Sequence, residues 1–210
     1  FDNPTNLLSQ YRVGQKIGEI WGFVYDGFFK TDEEAQEYTS RVNTRNIQGR
    51  EVPGYYAGDI KILDLNGDGV INYGSNTLDD PGDRRLIGNS TPRYSYGVTL
   101  TASYFGFDIY LFFQGIGRRD WYPTNETEMF WGPYSRPYAS FIPSNFEDKV
   151  WSEDNKNAYF PRLQGYLVSY ELGRANNMYL QNAAHCKLRN ATIGYTIDPK
   201  LTKRIGISNI

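Results

Sequence analysis

Residues 94–114 read YSYGVTLTASYFGFDIYLFFQ. The first eleven of them alternate apolar or aromatic side chains with small polar ones, and a second alternating run begins at Phe107, after Phe105-Gly106. A period of two predicts strands with one apolar face, and two such runs joined by two residues predict an antiparallel β-hairpin. This hairpin indicates an all-β fold.

Both runs are long for strands of a soluble protein. The mean soluble strand has about 5–6 residues, whereas a tilted strand that crosses a membrane needs about 9–11, with aromatic residues at the interfaces. The pattern leaves open a membrane barrel and a soluble sandwich with one buried face. In the barrel interpretation, the small polar residues of the first run face the lumen: Ser95, Gly97, Thr99, Thr101 and Ser103.

A second hairpin of the same type is predicted near the end of the sequence. Residues alternate again from Lys187 to Ile197, Asp198-Pro199-Lys200 supplies a turn, and a returning strand begins at Ile205. The composition agrees with strands, because the chain has 21 glycines and 16% aromatic residues.

Before the first hairpin, residues 20–25 are strand-like and end at the turn signal Asp26-Gly27. One short helix follows. Thr31 and Glu34 form a capping box, and apolar residues then recur at helical spacing to Val42. The predicted fold class is therefore all-β with one short helix in a loop region.

Residues 64–72 read DLNGDGVIN, the first nine positions of an EF-hand-type calcium loop. Position 12 is Ser75, so the closing carboxylate is delayed to Asp79, Asp80 or Asp83, after what reads as an insertion. The alternative is an Asn/Asp/Gly-rich turn without metal. The candidate ligands of a structural Ca²⁺ ion are Asp64, Asn66, Asp68, Val70 through its carbonyl, Asn72 and Asp83.

Residues 116–178 form a long polar segment that is rich in aromatic residues. Exposed rings stack on the apolar faces of sugars or peptides while neighbouring polar groups orient the ligand. The alternative is that each ring packs in a small core of the segment itself. The candidates for substrate contact are Trp121, Trp131, Tyr134 and Tyr138.

Other functions find little support. The 22 basic residues are balanced by 24 acidic ones, so nothing favours nucleic acid as a partner. With one cysteine, Cys186, and one histidine, His185, no internal disulfide and no multi-histidine zinc site can form. No nucleophile–base pairing emerges, and we expect no enzyme. Since the chain starts at Phe1, without a signal-peptide pattern, we expect a fragment of a longer protein.

An ordered series of landmarks resembles the C-terminal part of the SusC/RagA family of TonB-linked outer-membrane receptors. The resemblance covers nearly the whole chain, and the segment between Asn72 and Asp83 departs from it by its length. The landmarks are IWGF at 20–23 with YDGFF at 25–29, GDIK at 58–61 with DLNGDGVIN at 64–72, DRRLIGN at 83–89 with Pro92, FFQG at 112–115, and LRNATIGY at 188–195.

This resemblance implies a large antiparallel β-barrel in the Gram-negative outer membrane, in contact with lipid and carrying long extracellular loops. Members of the family import glycans or peptides together with a SusD-like surface lipoprotein, and TonB supplies energy through an N-terminal region that these 210 residues do not include. The alternative is a soluble, secreted, calcium-stapled module with a dockerin-like loop and a β-sandwich, which binds carbohydrate or protein. Dockerins usually carry two such loops, and this sequence has one.

The resemblance also divides the chain into five segments. An irregular lead-in and an extracellular loop region with the helix and the calcium-type loop come first. A barrel hairpin, an aromatic-rich extracellular loop and truncated barrel strands follow. Their bounds are 1–18, 19–92, 93–115, 116–178 and 179–210.

Overall fold

The computed structural model describes residues 5–49, 54–138, 142–204 and 206. The chain divides into two compact units. We call Phe1–Ser90 with Asp120–Gln181 the loop unit, and Thr91–Arg119 with Asn182–Ile210 the sheet unit.

Strands dominate the regular structure, and every strand pair whose register is resolved is antiparallel, as the sequence predicts. In chain order the strands are β1 (Glu19–Phe23), β2 (Tyr25–Phe28), β3 (Ile60–Ile62), β4 (Arg84–Asn89), β5 (Arg93–Tyr104), β6 (Phe107–Arg118), β7 (Asp120–Trp121), β8 (Gln181–Asn182) and β9 (His185–Tyr195). β1 pairs with β4, β2 with β3, and β7 with β8, while β5, β6 and β9 form one sheet in that order.

The described residues form four short helices where the sequence predicts one. They are α1 (Asp32–Arg41), α2 (Arg45–Gln48), α3 (Glu128–Trp131) and α4 (Pro199–Arg204), and single 3₁₀ turns cover Gly132–Tyr134, Glu147–Lys149 and Leu167–Ser169. The three missed helices have four to six residues, too few for a helical period to show. No helix in the described ranges is long and apolar enough to cross a membrane.

The predicted helix is α1, and its capping box is confirmed. The Thr31 hydroxyl accepts from the Glu34 N–H at 3.2 Å. The Glu34 carboxylate reaches back to the Lys30 N–H at 2.8 Å, one residue before the usual partner in such a box. The helix ends at its predicted C-terminus, where the Val42 N–H donates to the Tyr38 carbonyl.

The turn predicted at Asp26-Gly27 is wrong, because β2 runs through both residues. Tyr25 pairs with Ile62 and Phe28 with Ile60, so β2 carries one residue more than β3 between these pairs. Gly27 has φ +82°, which suits a bulge as well as a turn. A glycine at this position is therefore compatible with a turn and with a bulge, and the local sequence does not distinguish the two.

A large aromatic core joins distant segments of the loop unit. Rings from the long 116–178 segment pack against residues of β1, β2 and β3. The Tyr25 hydroxyl donates to the Glu171 carbonyl at 2.6 Å, which joins the two halves of this unit at the core. Buried members of this core include Phe23, Tyr25, Ile60, Ile62, Trp131, Tyr134, Phe146, Phe160, Leu172 and Tyr179.

The sheet unit contains the predicted hairpin. Its eleven resolved pairs run from Arg93 opposite Arg118 to Tyr104 opposite Phe107. Phe105 and Gly106 have φ +48° and +83°, the two positive values that a type I′ turn requires. The hairpin and its two-residue turn are therefore confirmed.

β9 confirms the second alternating run and pairs antiparallel with β6. The short turn predicted at residues 198–200 is wrong, because α4 begins at Pro199, a favoured first helical residue. Most of the returning strand predicted from Ile205 lies outside the described residues.

Candidate functional site

The register of the sheet unit places apolar side chains from three strands on one face, because residues directly opposite each other project to the same side. On β6 and β9 a bulge after Phe112 keeps this face continuous. We call it the apolar face. Its rows are Val98, Phe113 and Leu188; Leu100, Leu111 and Ala191; Ala102, Ile109 and Ile193; and Tyr104, Phe107 and Tyr195.

The apolar face is open to solvent. Leu100 is 53% exposed in the 12-residue β5, and Ile193 is 74% exposed in the 11-residue β9. Burying a side chain of this size contributes about 1.5–3 kcal/mol, so an exposed apolar face of this kind indicates a surface that contacts another molecule.

Aromatic rings border the apolar face at both ends. At the turn, Tyr104 meets Phe105 and Phe107 meets Tyr195, each pair with ring centroids 4.5 Å apart. At the other end of β5, Tyr94 and Tyr96 are exposed. Long strands with an apolar band between two aromatic rims are typical of proteins whose β-sheet spans a lipid bilayer.

The opposite face of β5 carries the residues predicted to face a lumen. Ser95, Gly97, Thr99, Thr101 and Ser103 alternate with the apolar row, and the Ser103 hydroxyl donates to the Asp108 carboxylate across the strand pair at 2.6 Å. This face is more polar than the first, although β6 adds the rings of Tyr110 and Phe112 to it. The lumen assignment stays a prediction.

The candidate metal loop is a tight coil built from its own side chains. The two carboxylate oxygens of Asp64 accept from the Gly67 and Gly69 N–H groups at 2.7 and 2.8 Å. Asn66 accepts from the Asp68 N–H, and Asp68 accepts from the Val70 N–H. Gly67 and Gly69 have φ of +76° and +77°, where a side chain would strain the backbone.

Asp83 alone of the three candidate closing residues joins this coil. It is buried, and its carboxylate accepts from the Leu65 and Asn72 N–H groups at 2.8 Å each, which ties both ends of the loop to β4. Asp80 instead accepts from the Ser75 N–H and hydroxyl, inside the inserted segment, and Asp79 is exposed.

Burial and neighbouring carboxylates both act on Asp83. Burial raises the pKa of Asp83, the two backbone hydrogen bonds oppose that rise, and the carboxylates of Asp64 and Asp68 add to it by repulsion. Within the described ranges, however, no three His, Cys, Asp or Glu side chains gather as a group that could hold a metal. A Ca²⁺ ion would therefore also depend on the amide oxygens of Asn66 and Asn72 and on the Val70 carbonyl, of which the last accepts from the Asn72 amide in this structure.

The four residues predicted to contact a substrate fall into two groups. Trp131 and Tyr134 are fully buried in the core of the loop unit, so they have no surface to offer a ligand. Tyr138 is 83% exposed and Trp121 is 39% exposed. The Tyr138 ring meets that of Tyr166 edge-on, with centroids 6.0 Å apart.

Sequence reasoning missed an ion pair between a buried carboxylate and a partly exposed arginine in the loop unit. Asp59 is fully buried and receives two hydrogen bonds from the Arg162 guanidinium, at 2.5 and 3.0 Å, and one from Gln164 at 2.5 Å. Arg162 also lies over the ring of Tyr56. The GDIK landmark marks Asp59, but no local signal identifies a partner 103 residues away.

Comparisons with known proteins find two relatives of this chain. The chain is similar to TonB-dependent receptor P3 of Formosa agariphila, at 25% identity over 202 residues, or 95% of this chain and 17% of that protein. It is also similar to TonB-dependent receptor P39 of the same organism, at 25% identity over 93% of this chain and 20% of that protein. No protein-family model matches. The chain thus spans about a fifth of these relatives, and both matches support a place among TonB-dependent receptors.

Proposed function

We propose that this chain forms part of the barrel wall and the extracellular loops of a TonB-dependent transporter in a Gram-negative outer membrane. The apolar face of β5, β6 and β9 would contact lipid, and the loop unit would lie outside the bilayer. TonB would act through parts of the receptor beyond this chain. The observation that carries the proposal is the register, since three strands agree on one exposed apolar face with aromatic rims.

The finer assignment is a transporter of the SusC/RagA type, which imports glycans or peptides with a SusD-like surface lipoprotein as partner. Its support is the ordered series of landmarks in the sequence. The similarity to two TonB-dependent receptors supports the transporter over the soluble calcium-stapled module and over an enzyme.

A Ca²⁺ ion in the candidate metal loop is part of this proposal. Asp64, Asn66, Asp68, Asn72 and the Val70 carbonyl would surround it, and the hydrogen bonds of Asp83 support that residue as the closing ligand over Asp79 and Asp80. The ion would stiffen an extracellular loop and take no part in chemistry.

The experiment that tests the transporter is gel mobility of the full-length protein from cell fractions, with and without boiling. A closed barrel resists detergent and shifts on heating. We expect a heat-modifiable band in the outer-membrane fraction. A soluble protein without a shift would contradict the proposal and favour the calcium-stapled binding module.

A further inference from the structure

The loop unit contains a polar pocket that the sequence does not reveal. Its volume is about 390 Å³, enough for part of a small ligand. We call it the tyrosine pocket, after Tyr166 in its lining and Tyr138, whose ring contacts that of Tyr166. It is lined by Asn125, Glu126, Glu128, Ser135, Arg136, Tyr166 and Ser169.

Buried residues hold the walls of the tyrosine pocket. Glu128 begins α3, whose last residue is the fully buried Trp131, and Ser135 follows the fully buried Tyr134. On the other wall, Ser169 ends a 3₁₀ turn whose Leu167 and Val168 are buried. Trp131 and Tyr134, two of the four residues predicted to contact a substrate, thus lie in the buried segments that carry lining residues of the pocket.

Tyr166 adopts an unusual backbone conformation at the edge of the pocket. Its φ of +62° is rare for a bulky residue, and backbone strain of this kind concentrates at binding sites. Next to it, a methyl group on Gly165 would lie 3.0 Å from the Pro137 ring. This close approach sets Tyr138 beside Tyr166, and the exposed pair extends the pocket with aromatic surface.

The polar groups of the pocket match a ligand that both donates and accepts hydrogen bonds at many points. The Asn125 amide and the hydroxyls of Ser135, Ser169 and Tyr166 can each do both, while Glu126 accepts and Arg136 donates. Aromatic surface beside such groups suits the alternating apolar and hydroxyl faces of a sugar ring. Resting on the proposed transport function, we propose that the tyrosine pocket binds a neutral oligosaccharide.

The charges of the pocket favour neutral sugars over acidic ones. The pocket contains two carboxylates against one guanidinium, and Arg136 is already paired with Glu128 at 3.2 Å. The second carboxylate, Glu126, repels a uronate or sulfate group. A peptide is disfavoured because its apolar side chains would meet a lining made mostly of polar residues.

The test uses the full-length protein, purified from whichever cell fraction contains it. Binding is measured by calorimetric titration with three neutral probes, the linear hexamers of glucose, xylose and mannose, with a galacturonate hexamer, and with an alanine hexapeptide. We expect at least one neutral hexamer to bind. Tyr138→Ala should weaken its binding about tenfold, because one aromatic contact is lost.

Matched variants locate the effect in the pocket. Tyr166→Gly removes the second ring while keeping the positive φ and should weaken the same probe. Tyr170→Ala removes an exposed tyrosine four positions away, outside the pocket lining, and should leave binding unchanged. Glu126→Gln should improve binding of the galacturonate hexamer relative to the neutral probe.

Three results would overturn this inference: no neutral hexamer binds, binding is unchanged in both Tyr138→Ala and Tyr166→Gly, or the hexapeptide binds and depends on the same two tyrosines. The heat-modifiable band reports on the transporter separately. A parent protein with that band but without sugar binding contradicts the pocket alone, whereas a protein without that band contradicts the proposed function.

Discussion

Many aromatic residues of the loop unit form a buried core, whereas those at the ends of the sheet-unit strands are exposed. In the loop unit, Trp131 and Tyr179 are fully buried, whereas in the sheet unit Tyr104 and Phe105 are 75% and 82% exposed. Composition cannot distinguish the two uses. The spacing of the rings does distinguish them. Alternation with a period of two places rings on one face of a sheet, whereas irregularly spaced rings can pack against residues that are distant in the sequence. In the proposed transporter, the loop unit faces water and has its own core, and the sheet unit is covered by lipid.

The largest expected effect is the loss of a core ring in the loop unit. Trp131 contacts Tyr122, Phe130, Phe160 and Tyr179, and its indole N–H donates to the Thr124 carbonyl. Trp131→Ala should destabilise this unit by about 3–5 kcal/mol. Protease resistance in increasing urea measures the effect. The control is Trp121→Ala, which removes a partly exposed tryptophan, and an equal loss in both variants would contradict the burial described for Trp131.

The second prediction separates the two faces of β5. Leu100 lies midway between the rims at Tyr96 and Tyr104, and its neighbour Thr99 points to the other face. Leu100→Arg places a charge in lipid and should cost about 2–4 kcal/mol, while Thr99→Arg should cost much less. The heat-modifiable fraction in the outer membrane is the readout. Equal loss in the two variants would count against a lipid-facing side.

The third prediction concerns calcium in the loop unit. If Asp64 and Asp68 bind Ca²⁺, saturation at about 100 times the Kd stabilises the loop by about 2.7 kcal/mol. The double variant Asp64→Ala with Asp68→Ala should lose this increment without preventing barrel insertion. Protease sensitivity of each protein is measured in calcium and in chelator. The substitutions also remove hydrogen bonds, but that loss is the same in both conditions and cancels in the difference between them.

Two single variants identify the closing ligand. Asp83→Asn should reduce the calcium increment, whereas Asp79→Asn should keep it, because Asp79 is exposed and Asp83 joins both ends of the loop. If calcium protected the parent and the double variant equally, the proposed Ca²⁺ site would be contradicted.

The smallest expected effect is at the helix cap. Thr31→Ala removes the hydroxyl that accepts from the Glu34 N–H and should destabilise α1 by about 1 kcal/mol. Hydrogen exchange of the first-turn amides of α1 measures the change. Thr31→Ser retains a capping oxygen and serves as the control, so faster exchange in both variants would show that the cap is not the cause.

The sequence predicts those elements whose signals are local. The hairpin, its turn at Phe105-Gly106 and the cap of α1 each depend on residues within a few positions, and all three are confirmed. The apolar face follows from the same alternation, whereas its exposure is known only from the structure. The prediction failed at Asp26-Gly27, because a turn and a bulge demand the same glycine conformation.

The remaining features depend on contacts between distant segments. The burial of Trp131 and Tyr134 comes from a core shared with β1, β2 and β3, and the Asp59–Arg162 pair joins residues 103 positions apart. Where aromatic residues have no regular spacing, the sequence does not show which rings are exposed and which are buried in a core. The tyrosine pocket also forms only when distant segments pack together, so no sequence motif predicts it.

The most direct test of the lipid-facing sheet is spin labelling of its two faces in the full-length protein. Cys186, the single cysteine of these 210 residues, is exposed and is first replaced in Cys186→Ser. Labels are then placed one at a time, at Leu100→Cys and Thr99→Cys, in the outer membrane. We predict that the label at position 100 is relaxed by oxygen, which concentrates in lipid, and the label at 99 by a water-soluble nickel chelate. Equal access of the nickel chelate to both labels would contradict a lipid-facing side of β5.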